Sequence, residues 1–160
     1  MIKLEVVCRN IATGHFVTRF PMFKIGEVLP MPVVEFYLKS EELHDPILMK
    51  DSCACPEACY QRGEEAMKSL MLRVNSLLKR FFELDGFILV DFKLEFGHDE
   101  NNYLLVGDEL NHDSMRIWEV ETLRCFDKNI YRTGSTFEKV IETYQLLGGS
   151  RNGLKVDLLK

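Results

Sequence analysis

The sequence predicts an α+β domain in which a mostly antiparallel sheet packs against a long amphipathic helix and a C-terminal helix. Polar and apolar residues alternate from Val90 to Phe96, as they do in a strand with one buried face. Apolar residues recur every three or four positions between Met67 and Phe81, which is typical of a helix that buries one side. Ser135 and Glu138 form a capping box ahead of a second apolar stripe, which indicates where the C-terminal helix begins.

Composition and charge narrow the class of protein. The 160 residues are enough for one domain with its own core, and 46% of them are hydrophobic and 28% charged, as in ordinary globular proteins. The net charge of −5 argues against a general nucleic-acid binder, which would carry a basic surface. The N-terminus lacks the apolar core of a signal peptide, and no apolar run approaches the ~18 residues of a membrane span. We therefore expect a cytoplasmic protein with no membrane partner and, given an odd count of five cysteines, with reduced thiols.

The N-terminal part of the chain alternates between strands and turns. The run from Ile2 to Cys8 is rich in Val, Ile and Leu and predicts a strand, and Gly14 marks the turn that follows it. Two prolines between Gly26 and Pro32 predict a rigid loop ahead of a second strand from Val33 to Lys39. Arg9 stands at the end of the first strand, where a guanidinium can pair with phosphate oxygens, although an isolated arginine is more often a solvated surface residue.

The long helix is predicted from Pro56 to Leu84, because proline suits a first helical turn and Gly86 suits the stop. Its Met and Leu stripe is interpreted as core that packs on the apolar side of the central strand. Three cysteines stand close together near the start of this segment, at Cys53, Cys55 and Cys59. Their spacing is not that of a standard zinc pair, which disfavours a structural metal there.

The central strand, Phe87 to Gly97, carries the residues around which the rest of the chain is interpreted. Asp91, Lys93 and Glu95 stand on one side of it at intervals of about 6.6 Å. Such a row is either the wet face of an antiparallel strand, which is common, or a support for a metal and phosphates. A hairpin and a return strand would then bring Asp108 beside Glu95, and two carboxylates there can hold Mg²⁺ while phosphates and water complete its shell.

The central strand also resembles a known family. The run L-V-D-F-K-L-E-F-G, from Leu89 to Gly97, is similar to a signature of phosphoribosylaminoimidazole-succinocarboxamide synthase, also called SAICAR synthetase. The run L-E-V-V-C-R-N-I-A-T-G-H, which begins at Leu4, resembles that family's other signature, except that His15 replaces the usual serine. Further similar elements follow in the family's order: P-x-V-E-F-Y-L-K, H-D-P, D-x-x-R-I-W and D-K-x-x-Y-R. The resemblance therefore extends from about Leu4 to Gly148.

The resemblance implies both an activity and a fold. Family members join a carboxylated aminoimidazole ribotide to L-aspartate with ATP, in de novo purine biosynthesis, through an acyl-phosphate intermediate. A ligase of this kind would use Mg²⁺ with ATP as a substrate, and its partners would be small molecules rather than nucleic acid. The fold would be that of the family's C-terminal domain, with residues 1–149 as the catalytic and substrate-binding domain and residues 150–160 as a tail.

The resemblance also assigns roles to residues by their place in the motifs. Asp45 precedes a proline, so its alternative is an ordinary turn residue. The imidazole of His15 can donate to phosphate as the family's serine does, but it is larger. Asp91 would either orient Lys93 or touch substrate. The implied set is catalytic Lys93, Asp91 and Asp45, ribotide-phosphate ligands Arg9, His15 and Arg116, further substrate or nucleotide contacts Lys39, Lys128 and Arg132, and metal ligands Glu95 and Asp108.

The matched motifs begin after the family's N-terminal lobe, which covers ATP with a lysine- and glycine-rich sheet. We therefore expect the ribotide half of the site within these 160 residues, with a neighbouring subunit of a homo-oligomer or a separate N-terminal lobe closing the ATP half. The alternative is a truncated, non-catalytic domain of this family that binds ribotide or a protein partner. Retention of the charged motif residues favours the enzyme, whereas the lack of the lobe and the replacement of the serine by His15 favour the binding domain.

Overall fold

The computed structural model describes residues 1–48 and 61–125 of the chain. The predicted start of the long helix at Pro56 and the cysteines at 53–59 lie outside the described residues. The predicted C-terminal helix, Lys128, Arg132 and the tail at 150–160 lie outside them as well. Those expectations therefore stay predictions.

Six strands of the described residues form one antiparallel sheet, which confirms the predicted α+β class. The strands are β1 (Leu4–Ile11), β2 (Val28–Leu38), β3 (Ile47–Leu48), β4 (Phe87–His98), β5 (Leu104–Gly107) and β6 (Met115–Glu119), and the helices are α1 (His15–Arg19) and α2 (Gln61–Glu83), with 3₁₀ turns at Glu41–Leu43 and His112–Ser114. The strand order is β3-β2-β1-β4-β5, and β6 pairs with the first half of β4. As predicted, β4 is the central strand, because it pairs with β1, β5 and β6.

α2 lies against one face of the sheet, where the predicted apolar stripe forms the core. Met67, Met71 and Phe82 share a single core cluster with residues of β1, β2 and β4. Leu77, which the stripe included, is 60% exposed, because it stands about 80° around the helix axis from Met67. α2 ends at Glu83, and a turn follows to Gly86, the residue predicted to stop the helix, whose φ of 79° favours glycine. No helix among the described residues is long and apolar enough to cross a membrane.

β4 changes the face that it buries part-way along its length. Leu89 and Phe92 are three residues apart, so in a regular strand they would point to opposite faces, yet both belong to the core. The register against β6 shifts between Leu89 and Asp91, and this β-bulge accounts for the change of face. From Phe92 onward the predicted alternation holds, with Leu94 and Phe96 in the core.

β2 begins earlier than predicted and includes the two prolines of the expected loop, Pro30 and Pro32. Between its paired residues Val28 and Val33, β2 has four residues where β1 has one. The prolines lie in this irregular stretch, where a missing backbone N–H interrupts no regular pairing with β1. The expectation of a loop there is therefore wrong, because the prolines occupy a bulged part of the strand.

The hairpin between β4 and β5 lies where the sequence predicts it. Asp99 accepts hydrogen bonds from the backbone N–H groups of Asn101 and Tyr103 at 2.9 and 2.7 Å, which close the loop. β5 is shorter than the return strand that the sequence predicts from Tyr103 to Leu110, since it ends at Gly107. Gly107 pairs with Glu95, so the return strand reaches the end of the charged row as expected.

Candidate functional site

The face of the sheet turned away from α2 carries charged side chains from β1, β2 and β4. Successive side chains on a strand point to opposite faces, so these residues alternate with the core residues of each strand. The register aligns them across strands, with Arg9 opposite Asp91 and Glu5 opposite Glu95. We call this surface the polar face; its members are Glu5 and Arg9 of β1, Glu35 and Tyr37 of β2, and Asp91, Lys93 and Glu95 of β4.

Most charges of the polar face are buried. Arg9, Glu35 and Glu95 are each 6% exposed, and Asp91 is 5% exposed. The interpretation of the central strand as having one wet face is therefore wrong at Asp91 and Glu95, and Arg9 is not a solvated surface residue. Buried charges persist in proteins when they are paired, so the partners of each side chain define this site.

Arg9 lies between two carboxylates. Its Nε donates to Oε2 of Glu35 at 2.6 Å, and its Nη1 donates to Oδ2 of Asp91 at 2.8 Å. Its Nη2 lies 3.4 Å from the hydroxyl oxygen of Tyr37. Burial alone would lower the pKa of Arg9, but the hydrogen bond to Glu35 and the charges of Asp91 and Glu35 outweigh burial and raise the pKa. The guanidinium is therefore held charged and in a fixed orientation.

Arg116, on β6, approaches the other oxygen of the same aspartate. Its Nε lies 3.4 Å from Oδ1 of Asp91. Its guanidinium packs on Gly14, where a Cβ would lie only 3.0 Å from Nη1. Gly14 also has a φ of 57°, so both the space and the backbone favour glycine at this turn. His15 follows directly as the first residue of α1 and is exposed.

A pocket of about 170 Å³ opens beside the two arginines. Four residues that the motifs implied, Arg9, Asp91, Lys93 and Arg116, line it together. The complete lining is Glu5, Val7, Arg9, Asp91, Phe92, Lys93, Ser114, Met115 and Arg116. The pocket therefore joins residues of β1, β4 and β6 that lie far apart in the sequence.

Lys93 and Glu95 belong to a second group of ion pairs on the polar face. Nζ of Lys93 donates to Oε1 of Glu5 at 2.8 Å and lies 3.5 Å from Oε1 of Glu95. Burial alone would lower the pKa of Lys93, but the hydrogen bond to Glu5 and the charges of Glu5 and Glu95 raise it. Nζ of Lys39, whose side chain is 42% exposed, lies 2.8 and 2.7 Å from the two oxygens of Glu95. Both carboxylate oxygens of Glu95 thus have ammonium partners.

Asp108 follows Gly107, which is the partner of Glu95 on β5, and its side chain is exposed. Carboxylates are hard oxygen ligands of the kind that Mg²⁺ takes while it keeps other positions for phosphates and water, so the chemistry of these two side chains fits that ion. Within residues 1–48 and 61–125, no group of three or more His, Cys, Asp or Glu side chains is arranged to hold a metal ion. A metal at Glu95 and Asp108 would therefore depend on substrate oxygens for the rest of its shell.

Comparison with known proteins identifies the family. The family model for SAICAR synthetase matches residues 1–146. The chain belongs to the SAICAR synthetase family. The resemblance drawn from the motifs is thereby confirmed.

Individual members of the SAICAR synthetase family agree in sequence and fold. The phosphoribosylaminoimidazole-succinocarboxamide synthase of Sulfolobus acidocaldarius is 42% identical over 145 residues, which are 91% of this chain and 61% of that protein. A solved SAICAR synthetase (type 2) in complex with ADP superposes with a TM-score of 0.80 at 35% identity, over 94% of this chain and 65% of that one. The synthase of Ehrlichia chaffeensis superposes with a TM-score of 0.82 at 36% identity, over 92% of this chain and 62% of that one. The chain spans 61% of the length of the Sulfolobus relative.

The remaining residues that the SAICAR synthetase motifs implied lie farther from the pocket or outside the described chain. Asp45 accepts a hydrogen bond from the backbone N–H of Ser40 at 2.8 Å and has a φ of 47°, as expected of a turn residue. Lys39 follows β2 and reaches the polar face through Glu95. Lys128 and Arg132 lie outside the described residues. The roles of these four in a SAICAR synthetase site stay predictions.

The sequence analysis did not identify Glu35 and Tyr37 of the polar face, nor Arg19, which contacts both of them. Arg19, at the end of α1, donates through Nη2 to Glu35 and through Nη1 to the hydroxyl of Tyr37 at 3.0 Å. The alternation from Val33 to Lys39 could have revealed Glu35 and Tyr37, because both stand on the side opposite the apolar positions. Arg19 had no comparable signal, since α1 is too short for a helical pattern.

Proposed function

We propose that this chain carries out the ATP-dependent joining of carboxyaminoimidazole ribotide to L-aspartate, the reaction of SAICAR synthesis in purine biosynthesis. Relatives bear the name of this synthase, and one solved family member holds ADP, which supports ATP as a substrate. The observation that carries the proposal is the pocket in which Arg9, Asp91, Lys93 and Arg116 meet, because each belongs to a family motif. The lining carries three cations against the two carboxylates of Glu5 and Asp91, which suits an anionic ribotide.

The proposed reaction consists of two transfers. An oxygen of the ribotide carboxylate attacks the γ-phosphorus of ATP, the bond from that phosphorus to the bridging oxygen breaks, and ADP leaves with the electron pair. The amine of aspartate then attacks the acyl carbon, the bond from carbon to the phosphate oxygen breaks, and phosphate leaves while the nitrogen loses a proton. Negative charge shifts onto a leaving group in both steps, so fixed cations stabilise both transition states.

Arg9 and Arg116 are assigned to the ribotide phosphate. A guanidinium has five N–H donors, and Arg9 uses three of them on Glu35, Asp91 and Tyr37. Within the described part of the chain, two N–H groups of Arg9 are thus left for an anion. Asp91 contacts both arginines, which supports an orienting role through the arginines.

His15 and Lys93 complete the assignment on either side of these arginines. His15 follows Gly14, against which Arg116 packs, so an imidazole N–H there can serve the same phosphate. Lys93 is assigned to the transferred phosphoryl group, because it lines the pocket and its raised pKa keeps the ammonium charged at neutral pH. Glu5 and Glu95 hold that ammonium in place.

Glu95 and Asp108 are assigned to Mg²⁺. When bound, the ion would neutralise the polyphosphate charge of ATP. Lys39 contacts both oxygens of Glu95, so a bound ion would take at least one of them from the lysine. The lysine itself then lies near the polyphosphate, as the family motif implies.

A coupled assay for ADP release from the full 160-residue chain tests the proposal, with and without ribotide and aspartate. ADP release should require ribotide, and the succinocarboxamide product should form only when aspartate is added. Lys93→Met should lower turnover by about a hundredfold or more. Glu121→Gln, a charge change at an exposed position outside the site, should leave turnover unchanged. If the rate of ADP release is the same with and without ribotide, the proposal is contradicted. If the chain binds ribotide but releases no ADP, the non-catalytic alternative is supported instead.

Glu95→Gln tests the metal assignment. The affinity for ADP in the presence of Mg²⁺ should fall by about tenfold or more, because an amide is a poor ligand for this ion. Calorimetry with and without Mg²⁺ measures the difference, and Glu121→Gln is the matched control. If the variant keeps the parent's Mg²⁺ dependence, Glu95 is not a ligand.

A further inference from the structure

Glu35 is a buried carboxylate that the proposed mechanism does not use. Its Oε2 accepts from Nε of Arg9 at 2.6 Å and from the hydroxyl of Tyr37 at 2.8 Å. Its Oε1 accepts from Nη2 of Arg19. One carboxylate therefore binds donors from β1, β2 and α1.

Tyr37 repeats this pattern of contacts. Its hydroxyl oxygen accepts from Nη1 of Arg19 at 3.0 Å and lies 3.4 Å from Nη2 of Arg9. The two β2 side chains thus contact both ends of the segment between these arginines. Gly14, in the middle of that segment, lies against the guanidinium of Arg116. A shift of either arginine would therefore disturb the turn on which Arg116 rests.

We propose that Glu35 is a positioning residue for the anion-binding part of the pocket, an inference that rests on the proposed assignment of Arg9 to the ribotide phosphate. It acts through Arg9 and Arg19 and does not touch the substrate. Its carboxylate fixes the guanidinium of Arg9, so that the two remaining N–H groups keep one orientation. A charged acceptor suits this role, because charge-assisted hydrogen bonds are shorter and stronger than neutral ones.

Because Glu35 is charged, the direction of the change in phosphate affinity distinguishes its two possible effects. A carboxylate near an anion site weakens anion binding if Coulomb repulsion is its main effect. Removal of that charge would then strengthen phosphate binding. If Glu35 positions Arg9, the same removal weakens phosphate binding, because the guanidinium loses its fixed orientation.

The experiment uses the full chain and two probes, the carboxylated ribotide and inorganic phosphate, in calorimetry. Glu35→Gln keeps the shape of the side chain and removes its charge, and the Kd for both probes should rise by about tenfold or more. Glu35→Asp keeps the charge and should restore part of the affinity. Glu121→Gln makes the same change at an exposed position and should leave both Kd values unchanged. In the turnover assay, the KM for ribotide should rise while kcat and the KM for ATP change little.

Tyr37→Phe keeps the proposal testable if Glu35→Gln does not fold, since it removes one hydroxyl and leaves every charge in place. Its Kd for ribotide should rise by about threefold or more. Parental or tighter affinity in a folded Glu35→Gln or in Tyr37→Phe overturns the positioning role. A parent chain that binds phosphate but not ribotide contradicts the proposed function, while the phosphate probe still decides the role of Glu35. A parent chain that binds neither probe overturns both.

Discussion

Both faces of the sheet carry buried side chains, but different interactions hold them. On the side of α2, Val6, Phe92 and Phe96 are almost fully buried and contact other apolar side chains. On the polar face, Arg9 and Glu35 are nearly as buried, but they are paired with opposite charges. Burial alone therefore does not distinguish core residues from site residues in this domain. The two groups differ in whether each buried side chain contacts apolar side chains or opposite charges.

This difference predicts different responses to substitution. An apolar side chain that is shortened loses contacts in proportion to the atoms removed, and its neighbours relax into part of the space. A buried charge that loses its partner keeps its full desolvation cost. The polar face should therefore tolerate less change than the core, and the same pairing would hold it rigid for the proposed anion.

The largest effect is expected from Arg9→Met, which removes the charge but keeps an unbranched side chain. Glu35 and Asp91 would each lose a buried hydrogen bond to Arg9, so the free energy of unfolding should fall by about 3–5 kcal/mol. Denaturant titration measures this difference. Arg73→Met makes the same change on the exposed side of α2 and should stay within about 0.5 kcal/mol of the parent.

A core variant sharpens that comparison. Met71→Ala should lower the free energy of unfolding by about 2–5 kcal/mol, because Met71 is fully buried under the sheet. Its folded fraction should still bind ribotide with parental affinity, whereas that of Arg9→Met should not. Equal loss of ribotide affinity in both variants would show that the two faces are not separable in function.

The fold was largely predictable because its strongest signals are local periodicities, in β4 and in α2. The bulge between Leu89 and Asp91 was not, since apolar residues occupy consecutive positions there and an alternating pattern cannot show a change of face. The loop prediction at Pro30 and Pro32 was wrong; it followed from the rule that proline normally excludes regular strand pairing. The strand accommodates these prolines because its register with β1 is irregular there, and the sequence of one strand alone does not show that register.

The site was predictable as a set of residues but not as a set of contacts. The motifs implied Arg9, Asp91 and Arg116, and the structure brings these together. Their partner Glu35 went unnoticed, because its contact with Arg9 depends on how β2 pairs with β1, which the pattern of one strand does not give. The sequence also could not show that Lys39 contacts both oxygens of Glu95, since that contact depends on where β2 ends relative to β4.

A smaller effect is expected where a polar pair lies close to the core. Asn10 and Asn75 exchange two side-chain hydrogen bonds at 2.8 and 2.9 Å, and Asn10 also donates to the carbonyl of Leu89 at 3.1 Å. Asn75→Leu leaves the buried amide of Asn10 without its α2 partner, so the free energy of unfolding should fall by about 1–3 kcal/mol. Ser76→Ala, at the next and exposed position of α2, should change it by less than about 0.5 kcal/mol.

The double variant Asn10→Leu with Asn75→Leu decides whether this pair behaves like the polar face or like the core. Replacement of both partners by apolar groups can be nearly neutral, so the double variant should be less destabilised than the sum of the single variants. Strict additivity of the two single effects would mean that the amides do not depend on each other, and the pair would then behave as two separate core positions.

The smallest effect is expected from Cys8, where a core position adjoins a charge of the polar face. Burial, with a smaller contribution from the charge of Asp91, raises the pKa of the Cys8 thiol from its ordinary value of 9.0 to about 12. The folded state therefore holds this proton more tightly than the unfolded state. The resulting stabilisation is complete below pH 9.0 and is lost as the pH rises toward about 12. Within that window the slope from this one group approaches about 1.4 kcal/mol per pH unit.

Cys8→Ala should remove this slope while leaving the alkaline slope that Lys93 contributes through its own raised pKa. Denaturant titrations of parent and variant at several pH values from about 9 to about 10.5 measure the difference. The variant starts less stable, because the alanine leaves a small cavity, but its curve should fall less steeply, so the two curves converge. Parallel curves would mean that the Cys8 thiolate is no less favourable in the folded chain than in the unfolded one. The core face would then be open to solvent at β1, and the contrast between the two faces would not hold there.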